Sequence, residues 1–170
     1  MKRFTQGLLL GLVVPALAVL AAAWKGWFSV RASAAPPAWE SRLAGMARDA
    51  AVERQAPRLR NPIAPTDAEL LAGLVIFRND CAGCHGEVGR PSSWGRQFYP
   101  PVPQFGQTPP RKPDWQIFWI VQNGLRYSGM GGWKGQMSDA DVWRVAAFLS
   151  RLESLPPAVE ARWRSPSPAS

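Results

Sequence analysis

Cys81, Cys84 and His85 are the side chains of this 170-residue sequence best suited to chemistry, and they share one pentapeptide, Cys81-Ala82-Gly83-Cys84-His85. It contains both cysteines and the only histidine of the chain. Cys-x-x-Cys-His is the attachment signature of a c-type haem. On one helical turn the two thiols can both reach the vinyl groups of a single porphyrin, and the next residue presents an imidazole nitrogen to the iron from the proximal side. A zinc site would want four ligands, and no further cysteine or histidine exists to complete one. A thioredoxin-like dithiol would want a βαβ context, which the pattern does not show, and a plain disulfide leaves His85 without a purpose.

With no second histidine, a six-coordinate iron needs another axial group, and methionine is the usual one. Met1 lies in the N-terminal apolar stretch and Met46 in an Ala/Arg-rich segment, so neither suits. Met130 lies in the Gly-rich loop Ser128-Gly129-Met130-Gly131-Gly132, between two expected helices, from which a thioether can swing onto the open haem face. Met137 directly precedes a helix cap, where an apolar residue normally serves as a hydrophobic staple. Met130 is the favoured ligand and Met137 the alternative; a Met130 that is only a loop residue would leave the iron open to a small molecule. Arg126 and Tyr127, beside Met130, could reach a haem propionate.

The elements that must position these groups are helical. Thr66 and Glu69 form a capping box for a helix over 66–79, whose packing side is Leu70, Leu74 and Phe77, with Gly73 allowing another helix to cross closely. This helix runs into the haem motif. Residues 86–113 form a long loop with seven prolines. A loop of that length argues against a compact domain unless it wraps a cofactor, here with Trp94, Phe98, Tyr99 and Phe105 on the haem edge. A carbonyl in Pro100–Pro103 is expected to orient His85 through its other ring nitrogen. Asp114–Asn123 reads as a short, apolar helix closed by Gly124. Ser138 caps a last helix with Asp141, and Val142, Val145, Ala146, Leu149 and Leu152 form its apolar stripe. That helix is expected to cross the first near Gly73 and Phe77. The Ser/Pro-rich tail, 157–170, is expected to be disordered.

The chain carries a formal charge of +8, but its distribution excludes a nucleic-acid binder. Residues 66–156 are nearly neutral, with nine basic and eight acidic side chains, whereas nucleic-acid recognition puts a basic face on the folded domain. Much of the excess lies in residues 31–65, where six arginines stand against Glu40, Asp49 and Glu53. That segment is expected to be a linker, with a possible helix from Ala38. Residues 1–30 read as an export segment: Lys2 and Arg3, then an apolar run to Trp24, with Trp27 beyond it. The run is close to the roughly 20 residues a spanning helix requires, which favours a retained transmembrane anchor over a cleaved signal peptide. Either puts residues 66–156 on the periplasmic face of a bacterial cytoplasmic membrane.

The set of motifs resembles the mono-haem class I cytochromes c of bacteria. The resemblance rests on Gly73-x-x-x-Phe77 before the pentapeptide, Gly86 after it and Tyr99-Pro100-Pro101 in the loop. It continues through Asn123-Gly124-Leu125-Arg126-Tyr127-Ser128-Gly129-Met130, Trp133 and Ser138-Asp139-x-Asp141-Val142-Trp143. Gly131 departs from the Pro that commonly follows the ligand methionine in that family. The resemblance implies an all-α fold of four to five helices around one covalent haem c, held through Cys81 and Cys84, with iron ligated by His85 and Met130. It implies one-electron transfer in a respiratory or dehydrogenase chain, with redox proteins or a membrane oxidoreductase complex as partners, rather than catalysis. The rival expectation is a small-ligand sensor or enzyme with a labile methionine.

Overall fold

A computed structural model describes residues 2–165, apart from the side chains of residues 2, 3, 5 and 8. The chain divides into two compact units, Met1–Ala34 and Ala35–Ser170. The first contains helix α1, Lys2–Trp24, with Pro15 inside it. Among the described residues, no helix is long and apolar enough to cross a membrane. The transmembrane helix expected of residues 1–30 is therefore not found among the described residues.

The second unit is all-α, and its described residues form only isolated bridges in place of strands. Its helices are α2 (Ala38–Gln55), α3 (Asp67–Ile76), α4 (Ala82–His85), α5 (Asp114–Asn123), α6 (Asp139–Leu149) and α7 (Pro157–Arg164). A single π-helical turn, Phe77–Cys81, joins α3 to α4, and a 3₁₀ turn, Gly95–Gln97, lies in the long loop. Thr66 and Ser138 are the N-caps the sequence specifies. The return half of the Thr66–Glu69 capping box does not form, since the Thr66 N–H donates to the Ala64 carbonyl (2.8 Å) and the Glu69 carboxylate accepts from Arg144 Nε (2.6 Å). Thr66 Oγ1 accepts the Glu69 N–H and Ser138 Oγ accepts the Asp141 N–H, each satisfying a donor orphaned at a helix start.

Helices α3 and α6 cross at Gly73. A Cβ there would lie 2.3 Å from the Arg144 carbonyl oxygen and 3.1 Å from Phe148 Cβ, so the missing side chain lets one helix rest on the other's backbone. One turn on, the rings of Phe77 and Phe148 meet at 5.9 Å between centroids. Leu70, Leu74, Phe77, Val142, Val145 and Phe148 are almost wholly buried around this crossing. Gly73→Ala is expected to cost about 1–3 kcal/mol, because the methyl must displace backbone rather than a flexible side chain; thermal unfolding of the haem-loaded protein measures it.

Asp114 anchors the start of α5 to its neighbours. Its carboxylate accepts hydrogen bonds from Asn61 Nδ2 (2.8 Å) and Ser150 Oγ (2.6 Å) and pairs with Arg151 (3.2 Å). Burial pushes its pKa up, but those hydrogen bonds and the Arg151 charge outweigh it and hold the carboxyl below the ordinary value. A folded-state pKa below the unfolded one adds stability that is present above the unfolded value and lost as pH falls through the folded one. Wild type is therefore expected to be more stable than Asp114→Asn at neutral pH, and the two should converge in acid below about pH 4. Thermal melts across that range check it.

The possible helix expected from Ala38 within residues 31–65 is α2. Helix α2 buries Val52, and Ala56 just beyond it, against the domain. Residues 157–170, expected to be disordered, are not wholly so: Pro157–Arg164 forms α7, with Val159 and Trp163 buried. The Trp163 ring packs edge-on against Phe77 and Phe148, at 5.6 and 5.5 Å. Tertiary contact supplies the stability that a two-turn helix lacks on its own. The expected disorder of 166–170 lies outside the described residues.

Candidate haem site

Cys81 ends the π-helical turn, and Cys84 and His85 lie in α4, so one continuous helical stretch from α3 carries all three groups. A single π turn inside a helix is a recurring feature of functional sites. Both thiols are free and half-buried. Burial, followed by the negative charge of Asp80 and the neighbouring Cys84, pushes the Cys81 thiol up to about 12. A neutral thiol destined for a thioether is compatible with this setting. Among the described residues there is no cluster of three or more metal-ligating side chains.

His85 is held by Pro103 and Phe105. Its Nδ1 lies 3.0 Å from the Pro103 carbonyl oxygen, inside the Pro100–Pro103 stretch expected to orient it. A carbonyl can only accept, so Nδ1 carries the proton and Nε2 keeps its lone pair, the tautomer an iron ligand requires. The Phe105 ring stacks on the imidazole at 4.2 Å and 11°, and the Phe105 N–H donates to the His85 carbonyl (2.8 Å). Burial lowers the His85 pKa against the opposing pull of the Pro103 hydrogen bond, which favours the neutral imidazole. Ring orientation, tautomer and charge state thus all fit a haem iron, and the two thiols on the preceding turn fit its porphyrin.

Ser92 and Gln104 belong to this site although sequence reasoning did not single them out. Gln104 Nε2 donates to the Cys84 carbonyl (3.0 Å) and its Oε1 accepts the Ser92 N–H (2.6 Å). Ser92 Oγ donates to the Gly83 carbonyl (2.5 Å). These bonds tie the long loop to the carbonyls of the pentapeptide. They join residues far apart in sequence, and a polar side chain in a proline-rich loop carries no signal of them.

Met130 sits in a tied loop. The Leu125 N–H donates to the Met130 carbonyl (2.9 Å), and the Trp133 N–H donates to the Val121 carbonyl (2.9 Å). Ser128 Oγ donates to the Leu125 carbonyl (2.7 Å) and accepts the Met130 N–H (3.1 Å). Gly124, with φ of 70°, turns the chain out of α5; a Cβ there would lie 2.7 Å from the Met130 carbonyl oxygen. The Phe98 ring lies against Gly129, so the loop that clamps His85 and the loop that carries Met130 meet. Met130 and Met137 are both half-buried against the core, and Met137 lies next to the Ser138 cap as a staple residue does. Arg126 and Tyr127 are exposed, Tyr127 at 90%. Trp94 is also largely exposed, at 58%, while Phe105 packs against the core.

The segment just described coincides with a known family. Residues 68–149 match the family described as "Cytochrome C oxidase, cbb3-type, subunit III". No curated protein matches the chain. Among solved structures, it is similar to a chain of the Kuenenia stuttgartiensis reducing HAO-like protein complex, at 20% identity and a TM-score of 0.46, over 60% of this chain and 53% of that one. The sequence thus spans about half the length of that protein. With a single Cys-x-x-Cys-His motif inside the matched segment, residues 68–149 form a mono-haem cytochrome c domain, an electron-transfer module carrying covalent haem c and not itself an enzyme.

Proposed function

We propose that Cys81 and Cys84 hold the haem, that His85 and Met130 are its axial ligands, and that the domain passes single electrons in a bacterial respiratory or dehydrogenase chain. The observation that carries this reading is the Pro103 carbonyl at His85 Nδ1, which commits the ring to binding through Nε2. The haem, when bound, supplies reversible one-electron exchange at its iron. The protein's part is to hold the imidazole, close the other face with a thioether and exclude water with apolar side chains. Phe105 and Phe98 provide part of that cover. Arg126, exposed and in no ion pair among the described residues, is placed on the Met130 loop where it could meet a propionate. Redox proteins or a larger oxidoreductase complex are the partners, and residues 1–30 direct the domain to the periplasmic side, where c-type haem is attached in bacteria.

The test is an absorption spectrum of protein matured with a c-haem assembly system, before and after CO. A low-spin ferric spectrum and a ferrous iron that resists CO support the carrier. A high-spin iron that takes up CO at once replaces it with the sensor reading. Mass measurement of the protein recovered from the membrane and periplasmic fractions tests export and shows whether the leading segment is retained.

A further inference from the structure

We propose that the outward face of α2 seats the domain on an anionic lipid bilayer. The helix has two faces with different commitments. One is turned to the domain: Val52 and, just past the helix, Ala56 are 2% and 5% exposed. At about 100° per residue, Trp39, Leu43, Met46 and Ala50 fall in one stripe on the opposite side. Trp39, Leu43 and Met46 are 68%, 60% and 71% exposed. This is a contiguous apolar ridge on the surface, not a scattering of single residues.

The charges of α2 differ in how they are partnered. Its three acids are engaged: Glu40 accepts from Tyr99 Oη (2.6 Å), Asp49 pairs with Lys112 and Arg48, and Glu53 accepts from Gln116 Nε2 and pairs with Arg58. Arg42 and Arg54 flank the apolar stripe on either side, are exposed, and make no ion pair among the described residues. The outward face is therefore apolar along its middle, with Glu53 on the Arg42 side neutralised by Arg58, so that the unpaired charges bordering the stripe are the two arginines, which can snorkel to headgroups. A convex ridge with unpaired cations on both flanks matches a fluid anionic surface, and each arginine there adds to the attraction. This inference does not depend on how the iron is ligated.

Limited trypsinolysis of the full haem-loaded chain tests it, with phosphatidylglycerol vesicles compared against phosphatidylcholine vesicles. Cleavage after Arg42, Arg48 and Arg54 is expected to be roughly tenfold slower on the anionic vesicles. The triple variant Trp39→Gln, Leu43→Gln, Met46→Gln should lose that difference. An unchanged haem spectrum, expected because all three side chains are exposed, shows that it is folded. A second variant, Arg42→Gln with Arg54→Gln, read at Arg48, should lose most of the protection as well. Equal cleavage on the two lipids, or protection that survives the triple variant, would overturn the proposal. So would protection that arises only when membrane proteins are added, which would assign the ridge to a protein partner.

Discussion

Met130→Ala is expected to abolish the weak Met-to-iron charge-transfer band of the ferric protein, lower its midpoint potential and open the ferrous iron to CO. The thioether is a soft ligand that favours the reduced iron and raises the potential relative to other axial groups. Axial ligands set haem potentials over about 0.8 V in all, so a fall on the order of 0.2 V is the scale to look for. The haem should remain attached, because Cys81, Cys84 and His85 belong to a separate helical stretch held by Pro103, Gln104 and Phe105. Met137→Ala is the control. Met137 stands next to the Ser138 cap that starts α6, so its loss should lower stability slightly and leave band and potential in place. If the band survives in Met130→Ala and disappears in Met137→Ala, the ligand assignment is reversed. If neither substitution changes it, the iron takes its sixth ligand from elsewhere.

The second large effect lies away from the iron. Arg78→Ala is expected to destabilise the domain by about 3 kcal/mol, the low end of the range for removing one partner of a buried ion pair, because Arg90 still pairs with Glu87 (3.5 Å). Arg78 Nε lies 3.4 Å from Glu87 Oε2, and the two side chains are only 8% and 7% exposed. The contact does not meet hydrogen-bond geometry, and among the described residues Arg78 Nε is a buried side-chain atom left without a hydrogen bond. The rest of the guanidinium is well used. Its Nη2 donates to the carbonyls of Arg162 (3.0 Å), Trp163 (3.2 Å) and Ser165 (2.7 Å), closing the C-terminus of α7 where carbonyls lack intrahelical partners. Arg78 precedes the haem pentapeptide and Glu87 follows it, so their pair ties together the two ends of the segment that holds the haem. A melting temperature lower by on the order of 10 °C is expected. Hydrogen exchange over 157–165 should become unprotected more than the rest of the domain. Arg78→Lys keeps the charge but not the planar fork, so it should recover part of the stability without restoring protection of α7. Uniform loss of protection across α3, α5 and α6 would mean that Arg78 acts on the core and not on α7.

Local chemistry made much of the site and the helices readable without coordinates. A haem attachment motif is contiguous because both thioethers and the imidazole must reach one porphyrin from one turn, so Cys81, Cys84 and His85 announce themselves. Helix α5 starts at Asp114 and ends at Asn123, as its pattern and Gly124 specify, and the Thr66 and Ser138 caps formed because they satisfy backbone donors within three residues of themselves. Even the α3–α6 crossing was legible, since a glycine on an apolar helix face has few reasons to be there other than a close neighbour.

What tertiary structure alone decided is where distant polar groups meet. The carbonyl that orients His85 was confined by sequence to a few residues, and the fold assigned it to Pro103. Ser92 and Gln104 acquired their part only when the loop folded back onto the pentapeptide. Helix α7 could not be foreseen from its short, polar, proline-flanked segment, because its stability comes from Trp163 on Phe77 and Phe148 and from a cap donated by Arg78 on another helix. Helix α2 was visible as a periodicity, yet which of its faces meets the domain was not, since Val52 and Ala56 look no more apolar than Leu43 or Met46. Periodicity and capping are interactions of near neighbours along the chain; long-range pairing depends on the packing of every element at once.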